Sequence, residues 1–241
     1  VVGISIIGIS QIIPGLTLAR MLKEKYSNLH ITLGGPIFSV ASEQLETRPE
    51  FFDDFCHSII TFEGEEPLHQ LLTRLKNGDT LADSPNLMYL EGGKVKKTKK
   101  RVELRFEDLP LPTFDGLPME LYLSPYPILP VLQSRGCYWG KCTFCTHSYV
   151  YGHRYGKQRT KQMVDELERL SKAYNTKYFT FSDEAVSPHA LNDVSDEILE
   201  RRLDISSLAL LKFEKVMDDD LFQKVREAGF IFLMYGLESA N

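Results

Sequence analysis

Two hydrophobic patterns alternate along the chain, and this alternation constrains the fold more than any other feature. Short apolar, β-branched runs typical of buried strands are separated by segments whose apolar residues recur at helical spacing. Strands joined through helices in this way form parallel sheets. The predicted strands lie at residues 1–10, 31–33, 55–62, 128–134, 178–181, 205–211 and 230–235. We therefore predict an α/β protein, with a doubly wound parallel sheet first and a further parallel sheet or barrel after it.

The helices are predicted from apolar spacing together with start and stop signals. Proline is favoured at the first helical position, and glycine is favoured just after the last one. A Ser or Thr immediately before the apolar pattern is a typical N-cap. The predicted helices are 12–25, Val40–Glu46, one from Pro67 to a stop at Gly78, one over 163–174 with Thr160 as its N-cap, 189–202, and 218–228 with a stop at Gly229.

A different pattern separates the two halves. Leu87–Glu91 and Lys94–Thr98 flank Gly92-Gly93, which predicts a hairpin because glycine supplies the positive φ of a tight turn. Six prolines follow between residues 108 and 130, and proline fixes φ and removes a donor, which favours an extended connection. We predict a first domain at 1–78, a hairpin and linker at 79–126, and a second domain at 127–241. Both ends of the sequence suggest a part of a longer protein.

Composition excludes several classes of protein. The net charge of −5 argues against general nucleic-acid binding, which usually leaves a basic footprint. No apolar run approaches the ~20 residues of a membrane-spanning helix, so no membrane association is expected. The sequence opens on a strand pattern without the features of a signal peptide, which favours the cytoplasm. The lysine-rich run after Gly93 is interpreted as a solvated edge of the hairpin.

Three of the four cysteines, Cys137, Cys142 and Cys145, lie within nine residues. Cysteines clustered in this way indicate a metal site, whereas a disulfide framework spreads its cysteines through a small domain. Zinc would need a fourth ligand, which His147 could supply. A 4Fe-4S cluster held by only three cysteines would keep one iron open, which suits catalysis. The fourth cysteine, Cys56, lies in an apolar run and is interpreted as a buried hydrophobic residue.

Several polar segments follow the predicted strands of the second half. In parallel α/β sheets and barrels, functional groups gather at the carboxyl ends of the strands. The cysteine loop, Asp183-Glu184, Lys212 and Glu238-Ser239 all occupy such positions. We therefore predict a functional site at this edge, and its position favours the iron–sulfur interpretation over zinc.

The loop Ser134-Arg135-Gly136-Cys137 resembles that of the radical S-adenosylmethionine (radical SAM) superfamily. The first half, with Gly34-Gly35 and Gly64-Glu65-Glu66, resembles the cobalamin-binding domain that precedes the radical domain in one branch of that superfamily. Gly236-Leu237-Glu238-Ser239 also matches a family motif. The chain departs from the common pattern at one point, because four residues rather than three separate Cys137 from Cys142.

The resemblance implies a role for each matching residue. Cys137, Cys142 and Cys145 would ligate a 4Fe-4S cluster whose fourth iron binds S-adenosylmethionine, and reductive cleavage would give a 5′-deoxyadenosyl radical. The further residues implied to contact S-adenosylmethionine are Phe144 near the adenine, Asp183 and Glu184 at the amino group, and Glu238 and Ser239. The residues implied to surround the cobalamin nucleotide tail are Ser5, Gly34 and Gly35.

The implied function is that of a cobalamin-dependent radical SAM enzyme. We expect a methyltransferase that acts on an unactivated carbon of a peptide or natural-product substrate, with an electron donor such as flavodoxin or ferredoxin. Ring formation or rearrangement without methylation is an alternative within the same chemistry. A zinc-stabilised α/β binding module without catalysis is the alternative from a different class.

Overall fold

The computed structural model describes residues 1–99, 105–150 and 154–238. Its packing divides the chain into two compact units. The first comprises Val1–Leu104 with Phe144–His153, and the second comprises Arg105–Thr143 with Arg154–Asn241. The hairpin that the sequence analysis assigned to a connecting segment therefore packs with the first unit.

The first unit contains a five-stranded sheet in the order β1-β2-β3-β4-β5. Strands β1, β2 and β3 are parallel, and β4 and β5 are the antiparallel strands of the predicted hairpin. The elements are β1 Val2–Ser5, α1 Ile12–Lys25, β2 Ile31–Gly34, α2 Pro36–Val40, α3 Ser42–Leu45, α4 Pro49–Phe55, β3 Ser58–Ile60, α5 Glu65–Asn77, β4 Leu87–Glu91 and β5 Lys94–Lys97.

Two predictions for this unit were wrong in detail because proline starts helices earlier than expected. Pro49 begins α4, which runs through Phe55 and shortens the predicted strand 55–62 to three residues. Pro36 begins α2, so two short helices replace the single helix predicted over Val40–Glu46. The helix that ends at Gly78 is confirmed, with Gly78 in the left-handed region at φ +74°.

The second unit contains a parallel sheet in the order β11-β10-β9-β6 and a small antiparallel pair, β7-β8. Pro130 lies in β6, at the edge of the sheet, where a strand residue without an N–H is tolerated. The short helix α6, His147–Val150, belongs to the first unit. The remaining elements are β6 Ile128–Val131, β7 Ser134–Arg135, β8 Gly156–Lys157, α7 Thr160–Tyr174, β9 Tyr178–Phe181, α8 Pro188–Arg201, β10 Ser206–Leu211, α9 Asp219–Glu227 and β11 Phe230–Tyr235.

Alternation along the strands places one face of this sheet against the helices. In β10, Ser207, Ala209 and Leu211 are buried while the intervening residues are half-buried. The buried apolar residues of α7, α8 and α9 join the same core. The predicted α/β class with parallel sheets is confirmed, as are the helices α7, α8 and α9 and a strand at each of the four predicted places, although the first of these strands ends at Val131 rather than at residue 134.

In the second unit, one predicted N-cap differs from the structure. Thr160 is the first residue of α7 and makes no capping bond, because Arg159 occupies the N-cap position. Ser187 and Asp218 do cap the following helices, accepting bonds from the amides of Ala190 and Leu221. Of the helices in the described ranges, none combines the length and the apolar character that crossing a bilayer requires.

Candidate cofactor-binding sites

The cysteine loop follows β7, the short strand Ser134–Arg135. The sequence predicted that these residues would continue the strand over 128–134. That strand is not continuous, because Ser134 and Arg135 turn away to pair with β8. Asp183, at the end of β9, holds this break in place. Its Oδ2 accepts from the amide of Gln133 at 3.0 Å, and its Oδ1 accepts from the hydroxyl of Ser134 at 2.5 Å. Both carboxylate oxygens of Asp183 are therefore engaged inside the protein.

The two hydrogen bonds that Asp183 accepts from Gln133 and Ser134 are called here the Asp183 brace. A buried polar network continues from it. Gln158 Nε2 donates to the carbonyl of Leu132 at 2.8 Å and to Oε2 of Glu166 at 3.1 Å. Burial raises the pKa of Glu166. Burial also raises the pKa of Asp183 to about 6, although the donors of Gln133 and Ser134 partly offset that effect. Buried hydrogen bonds of Asp183 and Gln158 therefore fix the backbone at the start of the cysteine loop.

Two glycines give the loop its path. Gly136 has φ +76°, and a Cβ placed there would lie 2.0 Å from the carbonyl oxygen of Arg154. No other residue fits that position without displacing backbone. Gly140 has φ +58° and turns the chain between Cys137 and Cys142, in the segment that carries the additional residue. The two glycines therefore let the backbone pass close to itself on either side of Cys137.

All four cysteines are free of disulfides. Cys137 and Cys145 are half-buried and Cys142 is exposed, whereas Cys56 is buried and its pKa is raised to about 12 by that burial. The described residues contain no group of three or more His, Cys, Asp or Glu side chains placed to hold a metal ion. The chemistry of the donor set, three free thiols on one loop, nevertheless fits an iron–sulfur cluster.

The spacer between Cys137 and Cys142 is attached to the end of β10. The Tyr138 hydroxyl donates to Oε1 of Glu214 at 2.6 Å, and the Lys212 ammonium lies 4.1 Å from the centre of the Trp139 ring. Burial, together with the bond to Glu214, raises the pKa of Tyr138. Lys212 could be recognised from its position after the predicted strand, whereas Glu214, two residues further along, could not.

The other residues predicted to contact S-adenosylmethionine have varied surroundings. Glu184 is half-buried directly after the engaged Asp183. Phe144 belongs to the first unit, where 66% of its side chain is exposed. Glu238 is exposed and has φ +54°, and Ser239 lies outside the described residues.

A cavity of about 450 Å³ opens at the carboxyl ends of β1, β2 and β3 in the first unit. All three residues predicted to surround the cobalamin tail line it, namely Ser5, Gly34 and Gly35. Gly35 has φ +111°, and a Cβ there would lie 2.2 Å from the carbonyl oxygen of Ile6. Glycine therefore brings β1 and β2 together at the mouth of the cavity.

Two further lining residues were not found from the sequence. Thr32 is buried, and its hydroxyl oxygen has no hydrogen-bond partner. Phe62 has φ +60°, unusual for a residue with a large side chain, and its amide donates to the Ser39 hydroxyl at 2.7 Å. A buried hydroxyl without a partner is costly in a folded protein, which suggests that a ligand completes it.

The fold is shared with solved structures of a known class of enzyme. The chain has the fold of cobalamin-dependent radical SAM enzymes, and the resemblance seen in the sequence is confirmed. The solved structure of OxsB, a cobalamin-dependent S-adenosylmethionine radical enzyme with aqua-cobalamin bound, matches with a TM-score of 0.76 and 20% identity. This match covers 100% of the chain and 36% of OxsB.

Two particular relatives among curated sequences support the comparison. An uncharacterised methyltransferase of Pyrococcus horikoshii is 28% identical over 229 residues, covering 93% of the chain and 49% of the relative. The anaerobic magnesium-protoporphyrin IX monomethyl ester cyclase of Rubrivivax gelatinosus is 25% identical over 253 residues, covering 98% of the chain and 44% of the relative. The chain thus spans about half the length of these relatives. No protein-family model matches it.

Proposed function

We propose that the chain is part of a cobalamin-dependent radical SAM methyltransferase that modifies an unactivated carbon. The observation that carries this proposal is the loop with three free thiols, which begins beside the carboxyl ends of β6 and β9 on the buried Asp183 brace. The cavity at the strand ends of the first unit would provide a second cofactor site, and the name of the Pyrococcus horikoshii relative favours methyl transfer.

We assign the cluster to Cys137, Cys142 and Cys145. With S-adenosylmethionine bound, a 4Fe-4S cluster would supply one-electron reduction and 5′-deoxyadenosyl radical chemistry. The chain's own residues hold and orient these groups. The thiols provide negatively charged ligands, and Gly136 and Gly140 let the backbone pass close to them.

The two acidic residues after β9 have different proposed roles. Both oxygens of Asp183 already accept internal hydrogen bonds, so we assign it to holding the base of the loop. We assign Glu184, the neighbouring half-buried carboxylate, to the amino group of S-adenosylmethionine, on the family resemblance and on the strength of a charge-assisted pair. Phe144 is assigned to the adenine, and Glu238 and Ser239 to further contacts.

We assign the cavity of the first unit to the nucleotide tail of cobalamin. Its volume of about 450 Å³ can hold only a part of that large cofactor. Ser5, Gly34 and Gly35 would lie along the tail, and the Thr32 hydroxyl would gain the hydrogen-bond partner that it lacks. This missing partner is the local observation that fits a bound polar group.

The substrate, the location in the cell and the electron donor are further parts of the proposal. We propose a peptide or natural-product substrate, a cytoplasmic location, and an electron donor such as flavodoxin or ferredoxin. Ring formation or rearrangement is the second candidate, because a relative of similar coverage is a cyclase.

The test uses the full-length protein that contains this chain, purified and reconstituted without oxygen. We expect iron, sulfide and bound cobalamin, and release of 5′-deoxyadenosine on reduction with S-adenosylmethionine. S-adenosylmethionine labelled in its methyl group separates the two candidates. Label in the product supports methyl transfer, and an unlabelled cyclic product supports ring formation. Tightly bound zinc without sulfide would refute both and favour the binding module.

A further inference from the structure

The two aromatic residues after Cys137 are both held by the segment that follows β10. Tyr138 donates its hydroxyl proton to Oε1 of Glu214 at 2.6 Å. Its neighbour Trp139 has the Lys212 ammonium 4.1 Å from its ring centre, a close cation–π contact. Lys212 and Glu214 are themselves 3.6 Å apart. The four side chains therefore form one connected set, called here the spacer clamp.

The clamp has a rigid support on one side. β10 is an interior strand, paired with β9 and β11, and its last residue, Leu211, is buried in the core. Lys212 and Glu214 follow directly, and their side chains are 32% and 27% exposed. This partial burial reduces screening by water, so the contacts of the clamp are stronger than those of an exposed ion pair.

The other side of the clamp is the part of the loop that departs from the usual cysteine spacing. Four residues separate Cys137 from Cys142, and the first two of them are the clamped aromatics. Gly140 then reverses the chain with φ +58°. The ring of Tyr155 packs edge-on against Tyr138, with the ring centres 6.2 Å apart. The first half of the spacer is thus fixed, and the turn follows at glycine.

We propose that Glu214 and Lys212 are positioning residues of the cluster site, which hold the four-residue spacer folded so that Cys137 and Cys142 can bind the same cluster. This inference rests on the proposed function. Without the clamp, the longer spacer would sample more conformations, and cluster binding would have to order it. The clamp supplies that order beforehand, through contacts that involve no cysteine.

The experiment compares variants of the anaerobically reconstituted full-length protein. Glu214→Gln weakens the acceptor, Tyr138→Phe removes the donor, and Lys212→Met removes the cation. Glu200→Gln, at an exposed position of α8, is the matched control for loss of a carboxylate. The readouts are the iron content, the rate of iron loss to a chelator, and the electron paramagnetic resonance spectrum of the reduced cluster.

We expect Glu214→Gln and Tyr138→Phe each to accelerate iron loss roughly tenfold or more, the effect of losing one charge-assisted hydrogen bond. The double variant should be no faster than the faster single variant, because both changes break the same bond. Lys212→Met should broaden the spectrum of the reduced cluster. Lys212→Arg should restore it, since a guanidinium also stacks on an indole ring.

If Tyr138→Phe, which removes a single oxygen, loses iron at the wild-type rate with an unchanged spectrum, the clamp is refuted while the proposed function stands. Additive effects of Glu214→Gln and Tyr138→Phe would refute it as well. If the wild-type protein forms no iron–sulfur cluster, the proposed function and the clamp fail together. Melting followed by circular dichroism identifies a variant that is merely unfolded.

Discussion

The buried carboxylate of Asp183 leads to a prediction about stability and pH. Its pKa is about 6 in the folded protein, against 3.8 for the unperturbed group, mainly because burial disfavours the charge. Between these two values the folded state binds more protons than the unfolded state. The free energy of unfolding therefore decreases as pH rises from about 4 to above 6.

The magnitude follows from the difference between the two pKa values. A separation of roughly two units corresponds to about 3 kcal/mol at 1.36 kcal/mol per unit. Asp183→Asn removes the titration and also puts an amide N–H opposite one of the two donors, at a cost of about 1–3 kcal/mol. Relative to wild type, the variant should gain about 3 kcal/mol between pH 4 and pH 7.

The assay is urea unfolding followed by tryptophan fluorescence. Trp139 is the only tryptophan, and it lies in the second unit close to the braced loop. Measurements on wild type and Asp183→Asn at several pH values between 4 and 7 give the difference directly. Glu166, the other buried carboxylate of the network, is present in both proteins. A stability difference that does not change with pH would refute this account of Asp183.

Three further predictions concern single residues. Gly136→Ala should lower the free energy of unfolding of the second unit by more than ~2 kcal/mol in the same fluorescence assay, because its Cβ would lie 2.0 Å from a carbonyl oxygen. The control is Gly116→Ala, where φ is +81° but the space is open, and it should cost only about 1 kcal/mol. Because the Thr32 hydroxyl lacks an internal partner, Thr32→Val should stabilise the cofactor-free first unit by about 1 kcal/mol in a thermal melt. The same change should weaken cobalamin binding in an absorbance titration, and tighter binding would contradict the assignment of the hydroxyl to the cofactor. Burial, with His57 nearby, lowers the pKa of His30 to about 4. The first unit should therefore lose about 1–2 kcal/mol, after discounting for solvent screening, as pH falls from 6.5 towards 4, and His30→Asn should show a smaller loss when its unfolding is followed by circular dichroism.

Local sequence signals were sufficient for most of the elements. Hydrophobic period separated strands from helices, and Gly78 and Gly229 marked helix ends, because these signals act within a few residues. The break at Gln133 and Ser134 was not predicted. Its cause is Asp183, a partner about fifty residues away in the sequence.

In the candidate site, too, contacts between residues far apart in the sequence could not be predicted. The cysteine cluster and its glycines are contiguous in sequence, so their chemistry could be inferred directly. Glu214 lies 76 residues from Tyr138, and nothing near either residue indicates that they pair. Asp183 was recognised by position, but only the fold shows that both of its oxygens are occupied by internal donors.

The cluster assignment is tested most directly by metal and sulfide analysis of the full-length protein after anaerobic reconstitution. We expect about four iron and four sulfide per chain, as in a 4Fe-4S cluster. Cys142→Ala should abolish them, while Cys56→Ala, a change at a buried cysteine outside the loop, should retain them. One zinc per chain without sulfide, or a cluster that survives Cys142→Ala, would contradict the assignment.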